Sequence, residues 1–534
     1  MVVTVAVRVA DPTGWLGSDD ASYHSAAEHL LAGKTIQRVH HHYARMAVIV
    51  PVAVSMCLFG NSPAAAALPM FVGSVLCVAM VTIVGRLLWG WWVGLCAATV
   101  VSVLPFFLAM STTSYTDALV CFWATLAVLL AVAAARTANL DRAMLLGVAC
   151  GVSVGLAASA KVFAILALLA VVPIAWEQMP RPRRVRGAWL AAVGCGMFFL
   201  FVADGLFYSW AAGDFWFKLH ALQNHQALTQ YFPEEGYFQA QTFSQLAWQR
   251  LTMLFHPTLS GWGRAAVLFW PAAMLVLVAN GAGRPIALWA MGTYLFIALA
   301  PVNYRNGFHP FPEFEGRHIL MACVPFALCF AWMVHAIGSR LLRPVWLQRG
   351  WPLVLLVMLV LSRTSYGVPN GFRHRPTQRV GEAIEKIVSS TPWEAGREIF
   401  LSAPMYVRYR VLFPVELRAR LRVAVDGGAP DWWRHTTVDI ESRHSRLPAP
   451  RDAYLIATPA QLRGEPEDWC YEVGLPRGDL AGWRRAAQVS AVVAHVDGSI
   501  AAVAGRNGDE KPLVVLVGAK SPGDARIAKN ESGK

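Results

Sequence analysis

The sequence predicts a mainly α protein, a polytopic bundle of membrane helices followed by a small α/β extracytoplasmic C-terminal domain. Composition is the first reason: 56% of the 534 residues are hydrophobic and 15% are charged, too apolar a balance for a soluble chain of this length. The second is the recurrence of apolar runs near the length of about 20 residues that a bilayer core requires. The third is that the links between these runs alternate between short basic ones and long mixed ones. The net charge of +13 does not point to nucleic acid, because the arginines are scattered through these links and do not form one stripe.

The chain opens on ten largely apolar residues, 1–10, without the basic leader of a signal peptide, and this stretch reads as what remains of a truncated first span. Residues 1–62 form an external first loop with amphipathic helices. Within it, Met46–Phe59 is fourteen residues long, which suits an interfacial helix better than a crossing one. Spans are predicted at 63–88, 91–108, 113–135, 143–160, 162–176, 187–208, 265–279, 285–301, 319–337 and 351–366, making a bundle over 63–368. The links 136–142, 177–186, 280–284 and 338–350 carry Arg136, Arg142, Arg181, Arg183, Arg184, Arg186, Arg284, Arg340, Arg343 and Arg349. All four fall on one side if the spans alternate, and the positive-inside rule makes that side the cytoplasm. The opposite side receives residues 1–62, the loops 209–264 and 302–318, and everything after Tyr366.

From about residue 370 the composition becomes that of an ordinary globular domain, assigned to 370–506. A helical stripe runs over 377–390 (Val380, Ile384, Ile387, Val388), and short strands are predicted at 399–402, 454–458, 489–496 and 500–504. Residues 507–534 read as a polar tail, interrupted by the apolar run 513–517. Eight of the nine cysteines lie in apolar segments, and Cys470 alone lies in a polar stretch, so the external domain has no internal disulfide. No internal repeat, zinc spacing or phosphate loop of the GxxxxGK kind is present.

The segment GSDDASYHSAAEHLLAG (17–33) is the most informative. Tyr23, Ala26, Ala27, Leu30 and Leu31 share a helical face, so a short amphipathic helix starts just after Asp19 and Asp20. One acid serves as a helix cap in the bland reading. In the functional one the other faces a cleft at the membrane surface and takes a proton from a hydroxyl. Asp117 opens a span, where the helix dipole alone favours an acid, but ionisable groups at membrane depth usually face an interior or aqueous cavity. Lys161 joins two spans on the outer side, and Arg317 with His318 stands at the outer mouth of the span at 319. Each is either a headgroup anchor or a hold on a lipid phosphate. His40, His41, His42 and Tyr43 form an aromatic and polar cluster in which consecutive residues converge poorly on one ion, so metal is the lesser reading. Glu234, Glu235, Glu313 and Glu315 read as solvated loop acids, and the aromatic residues of 215–237 as interfacial packing.

Taken together these motifs resemble polyprenyl-phosphate-dependent glycosyltransferases with the C-type membrane fold. That group includes the protein O-mannosyltransferases of glycosyltransferase family 39 and the lipid A aminoarabinose transferases. Asp19-Asp20-Ala-Ser-Tyr23 resembles the Asp-Glu-x-x-Tyr of their first external loop, and HHHYARM their Tyr-Pro-Pro-Leu region, with Ala44 and Arg45 replacing the prolines. CLFGNSPAAAALPMFVGSVL is similar to their Leu-Phe-Gly and second-span sequence. Asp117 matches the acid of a later span, GVSVGLAASAK the Gly-rich span closing in Lys161, and GRHILMACVPFAL a late Arg-Tyr-x-x-Pro segment with His318 for Tyr. The resemblance covers about residues 15–365. It implies inverting transfer of a sugar from a polyprenyl-phosphate donor to an acceptor hydroxyl on a glycan, lipid or protein at the outer face of the cytoplasmic membrane. Asp19 or Asp20 would be the base and Asp117 would orient the acceptor or a cation. Lys161 and Arg317, with His318 and Tyr43, would hold the donor phosphate. No cofactor is required by these motifs, and a divalent cation is left open. A lipid-linked saccharide polymerase or ligase, and a lipid-linked sugar transporter without transfer chemistry, are the competing classes. The transporter is disfavoured because the acids gather at helix ends and not at the midplane.

Overall fold

The computed structural model describes residues 2–10, 12–16, 19–36, 42–228, 243–252, 267–299, 301–303, 309–310 and 319–341, and short pieces between 384 and 518. The chain divides into two compact units, Met1–Gly14 with Ala26–Gly371, and Trp15–Ser25 with Phe372–Lys534.

In the first unit the helices are α1 (Val2–Ala10), the C-terminal part of α2 (Asp19–Leu31), α3 (Met46–Phe59), α4 (Pro63–Trp89), α5 (Trp91–Val103), α6 (Pro105–Met110), α7 (Asp117–Arg136) and α8 (Leu140–Ala160). They continue with α9 (Leu168–Pro173), α10 (Arg183–Ala212), α11 (Phe217–Leu228), α12 (Phe243–Leu251), α13 (Phe269–Ala279), α14 (Arg284–Leu299) and α15 (Cys323–Leu341). Among the described residues six helical stretches are long and apolar enough to cross a membrane: Pro63–Trp89, Asp117–Arg136, Leu140–Ala160, Arg183–Ala212, Gly281–Leu299 and Leu320–Arg340. Shorter apolar helices are Met46–Phe59, Trp91–Val103, Val162–Gln178 and Phe269–Ala279. The predicted span at 351–366 lies outside the described residues.

Two predicted spans are not single helices. The run 91–108 breaks at Leu104, whose ψ of 121° is extended because Pro105 follows it. The run 162–176 is a 3-10 turn (Val162–Ala167), then α9, then a π-helical turn (Ile174–Gln178) around Pro173.

Helices α5, α4, α7, α8 and α10 pack in that succession, while α13, α14 and α15 pack on one another and α15 on α5. Short links turn α4 into α5 and α7 into α8, which makes each pair antiparallel. The α8–α10 crossing depends on glycine: a Cβ on Gly151 would overlap the Val193 carbonyl, and one on Gly196 would overlap the Val148 carbonyl. Backbones this close lock two helices by packing alone.

The two ends of the bundle differ in chemistry. At one end Arg136 donates to the Leu87 carbonyl, and Arg181 to the carbonyls of Thr137 (2.7 Å), Ala138 (3.1 Å) and Asn139 (3.3 Å). Gln178 reaches the Ala282 carbonyl at 2.7 Å. Three of the four basic links thus meet, and their guanidinium groups occupy the carbonyl-rich helix ends where cations are favoured. The other end holds the start of α7, the end of α8 and the C-terminal part of α10. Helix α1 lies against α4 and α5, with Arg8 buried; its guanidinium donates to Ser74 Oγ (2.8 Å) and the Thr4 carbonyl (3.1 Å).

In the first unit β1 (Pro301–Asn303) pairs antiparallel with β2 (His309–Pro310). The second unit contains a five-stranded sheet in the order β5-β4-β3-β6-β7, formed by β3 (Glu398–Ser402), β4 (Leu421–Ala424), β5 (His444–Ser445), β6 (Ala453–Ala457) and β7 (Val515–Gly518). Among the described strands of this sheet only β6 and β7 pair antiparallel. The strands predicted at 399–402 and 454–458 are β3 and β6, each displaced by at most one residue. Those at 489–496 and 500–504 lie outside the described residues, as does Cys470. The apolar run at 513–517 contributes β7.

Candidate functional site

Asp117 is the first residue of α7 and Lys161 follows the last residue of α8. Because α8 folds back along α7, these two positions coincide in space. The Lys161 ammonium donates to Asp117 Oδ1 at 2.6 Å, with both side chains largely shielded from solvent. Each charge also suits its helix end, since an acid is favoured at an N-terminus and a cation beside C-terminal carbonyls. The ammonium has three donors. Among the described residues only Asp117 takes one, so two N–H groups of the ammonium have no described acceptor.

A second pair lies on the same turn of α8. Asp204 of α10 accepts from Ser159 Oγ at 3.1 Å and from the Lys218 ammonium at 3.3 Å, and Lys218 also donates to the Ala158 carbonyl at 3.3 Å. Ala158, Ser159 and Lys161 therefore tie both ion pairs to one helix end. Burial pushes the Lys218 ammonium below the ordinary lysine range. Asp204 offsets part of that effect, and the nearby Arg45 guanidinium adds to it. Neither Asp204 nor Lys218 is among the sequence-predicted site residues. The signal for Asp204 was available, as a carboxylate inside an apolar run is costly unless it has a partner or a use. Lys218, in a mixed loop, carries no such signal.

Tyr43, assigned to the donor phosphate by resemblance, has its ring buried in an apolar cluster with Ile49, Tyr208 and Phe217. Its carbonyl accepts the Tyr208 hydroxyl at 3.0 Å. In the described part of the aromatic loop, Phe215 and Trp216 pack edge-on and tilted against Phe201.

Asp19 and Asp20 belong to the second unit. Helix α2 begins at Asp19, two residues earlier than its apolar face suggests, and Leu31 at the far end is exposed. Asp20 is fully buried, and its carboxylate accepts the Leu16 amide (2.7 Å) and its neighbour Ala21's (3.0 Å). Asp19 is half-buried. Within this unit Trp15 stacks edge-on with His24, and Arg410 donates to Ser25 Oγ at 2.9 Å. His40, His41, Glu234, Glu235, Glu313, Glu315, Arg317 and His318 lie outside the described residues. Among the described residues no group of three or more His, Cys, Asp or Glu side chains is placed to hold a metal ion.

Residues 49–207 match the family described as Dolichyl-phosphate-mannose-protein mannosyltransferase, a stretch that contains Asp117, Lys161 and Asp204. No curated protein matches the chain. Among solved structures, ArnT from Cupriavidus metallidurans in the apo state is 14% identical, with a TM-score of 0.53, over 86% of this chain and 92% of that one. The same protein bound to undecaprenyl phosphate matches at 14% identity and a TM-score of 0.53, over 98% and 97%. The oligosaccharyltransferase of Archaeoglobus fulgidus is 12% identical over 79% of this chain and 61% of that one, with a TM-score of 0.44. The chain resembles the C-type membrane glycosyltransferases and has a mostly helical fold like that of ArnT.

Proposed function

We propose that this protein is a membrane glycosyltransferase. It moves a sugar from a polyprenyl-phosphate donor to an acceptor hydroxyl at the outer face of the cytoplasmic membrane, with inversion at the anomeric carbon. The observation that carries this reading is the Asp117–Lys161 pair, which lies within the mannosyltransferase-like stretch and at the bundle end opposite the basic links. The positive-inside rule makes the basic end cytoplasmic, so the pair opens outward. The donor class is supported by ArnT, which has been solved with undecaprenyl phosphate bound.

In the proposed step a carboxylate takes the proton of the acceptor hydroxyl as its oxygen attacks the anomeric carbon. The bond from that carbon to the phosphate oxygen breaks on the opposite face, and polyprenyl phosphate leaves with the electron pair. Lys161 supplies N–H donors to the leaving phosphate as its charge grows, and Asp117 holds the ammonium in place. Asp19 or Asp20 is the base in this reading, and the Asp20 carboxylate also accepts two backbone amides.

The test is to give the purified protein in proteoliposomes a set of radiolabelled undecaprenyl-phosphate monosaccharides together with an envelope extract as acceptor. Acceptor-bound label with stoichiometric release of undecaprenyl phosphate is expected. Label transferred only from an oligosaccharide diphosphate lipid would overturn the reading in favour of a polymerase or ligase. Movement of intact lipid-linked sugar across the vesicle wall would point to a transporter.

A further inference from the structure

The connection between α6 and α7 reads Ser111-Thr112-Thr113-Ser114-Tyr115-Thr116, and all six residues are buried. Six consecutive hydroxyl-bearing residues shielded from water are unusual, because a buried hydroxyl is costly unless hydrogen-bonded. Elsewhere in the bundle most buried hydroxyls are satisfied, Ser102 bonding back to Ala98, Thr125 to Cys121 and Ser153 to Ala149, while Ser55 and Ser159 reach a neighbouring helix and Thr293 is buried without a partner among the described residues. The first two hydroxyls of the connection are also committed. Ser111 donates to the Leu108 carbonyl at 2.6 Å, and Thr112 accepts the Thr13 amide at 2.8 Å.

Ser114 and Thr116 differ. Ser114 Oγ is buried with no hydrogen-bond partner, and the Thr116 hydroxyl does not cap α7 although it precedes the helix. Among the described residues neither hydroxyl has a partner. They lie three residues and one residue before Asp117, whose carboxylate holds Lys161. A hydroxyl both donates and accepts. It therefore suits a ligand that presents several hydroxyls of its own, and one left unpaired strongly disfavours a ligand lacking the matching group.

We infer that Ser114 and Thr116, beside the Asp117–Lys161 pair, form a polyol subsite that recognises the sugar ring of a lipid-linked donor. This inference rests on the proposed sugar-transfer reading and deepens it by assigning sugar recognition to the α6–α7 connection. Both residues are specificity determinants and take no part in bond making.

The test measures equilibrium binding of undecaprenyl phospho-mannose, phospho-glucose and phospho-galactose, each against bare undecaprenyl phosphate, in nanodiscs. The parent is expected to bind at least one sugar lipid about tenfold more tightly than the bare lipid. The double variant Ser114→Ala/Thr116→Val should bind all four lipids alike, with bare-lipid affinity unchanged, and Thr116→Ser on the Ser114→Ala background should restore part of the preference. Unchanged sugar preference in the double variant overturns the inference, as does an equal loss for sugar lipids and bare lipid. A parent that shows no preference for any sugar lipid also overturns it. A parent that prefers a sugar lipid but transfers nothing would leave the subsite standing and sink the transfer reading alone.

Discussion

The Lys161 ammonium stands 2.6 Å from the Asp117 carboxylate across 44 residues of sequence, and closes the first turn of α7 onto the last turn of α8. Two charges so close and so shielded attract strongly, but both gave up hydration to be there. The pair is consequently a poor device for stability by itself, and its persistence in an apolar bundle fits a role in holding charge at a defined point.

Removing one member exposes that balance. Lys161→Met should lower stability by about 3–5 kcal/mol, because it leaves a buried carboxylate uncompensated. Asp117→Leu combined with Lys161→Met should recover much of this loss while sugar transfer stays absent. Thermal melts of the three proteins in one detergent, beside the transfer assay, decide the matter. A double variant that transfers sugar normally would remove the pair from the mechanism.

The two adjacent acids should separate by phenotype. Asp19→Asn should keep the fold and cut kcat/KM by about 10²–10⁴-fold, the usual contribution of a general base. Asp20→Asn should instead destabilise by about 1–3 kcal/mol, since an amide replaces one of the two oxygens that serve the Leu16 and Ala21 amides. Melting curves and steady-state kinetics on both variants read this directly, and the reverse pattern would transfer the base role to Asp20.

Lys218 should react as an amine at lower pH than an ordinary lysine. Burial favours its neutral form, and only the neutral amine is nucleophilic. Its acetylation rate, followed by peptide mass spectrometry from neutral to alkaline pH, should therefore rise to half-maximum below the usual value of about 10.4. A midpoint above that value would mean that Asp204 outweighs burial.

Close approach of α8 and α10 gives a steric prediction. Gly151→Val and Gly196→Val should each destabilise by about 1–3 kcal/mol or more, because the new side chains meet backbone that has no room to yield. They should also weaken transfer by displacing Ser159 from Asp204. Gly194→Val, on the same helix but with nothing within 4 Å of a Cβ, is the control and should melt like the parent.

Much of this protein was legible in its sequence. The apolar runs, the basic links and the isolated charges Asp117 and Lys161 follow from composition and period, because lipid imposes its length and polarity on every span independently. Local chemistry also foretold the break at Lys161, between the runs 143–160 and 162–176, whereas 91–108 reads as one span and the structure breaks it at Leu104, before Pro105. What tertiary structure alone decided is partnership. Nothing in the spacing of Asp117 and Lys161 indicated that they pair with each other, and Asp204 passed for part of a plain span until Ser159 and Lys218 were found around it. Tyr43 is assigned to the donor phosphate by resemblance, and only the structure shows its ring in the apolar cluster beside Tyr208. The physical reason is the same in each case. Span length and end charge are properties of one segment in its solvent, whereas an ion pair depends on which glycine faces allow two helices to approach.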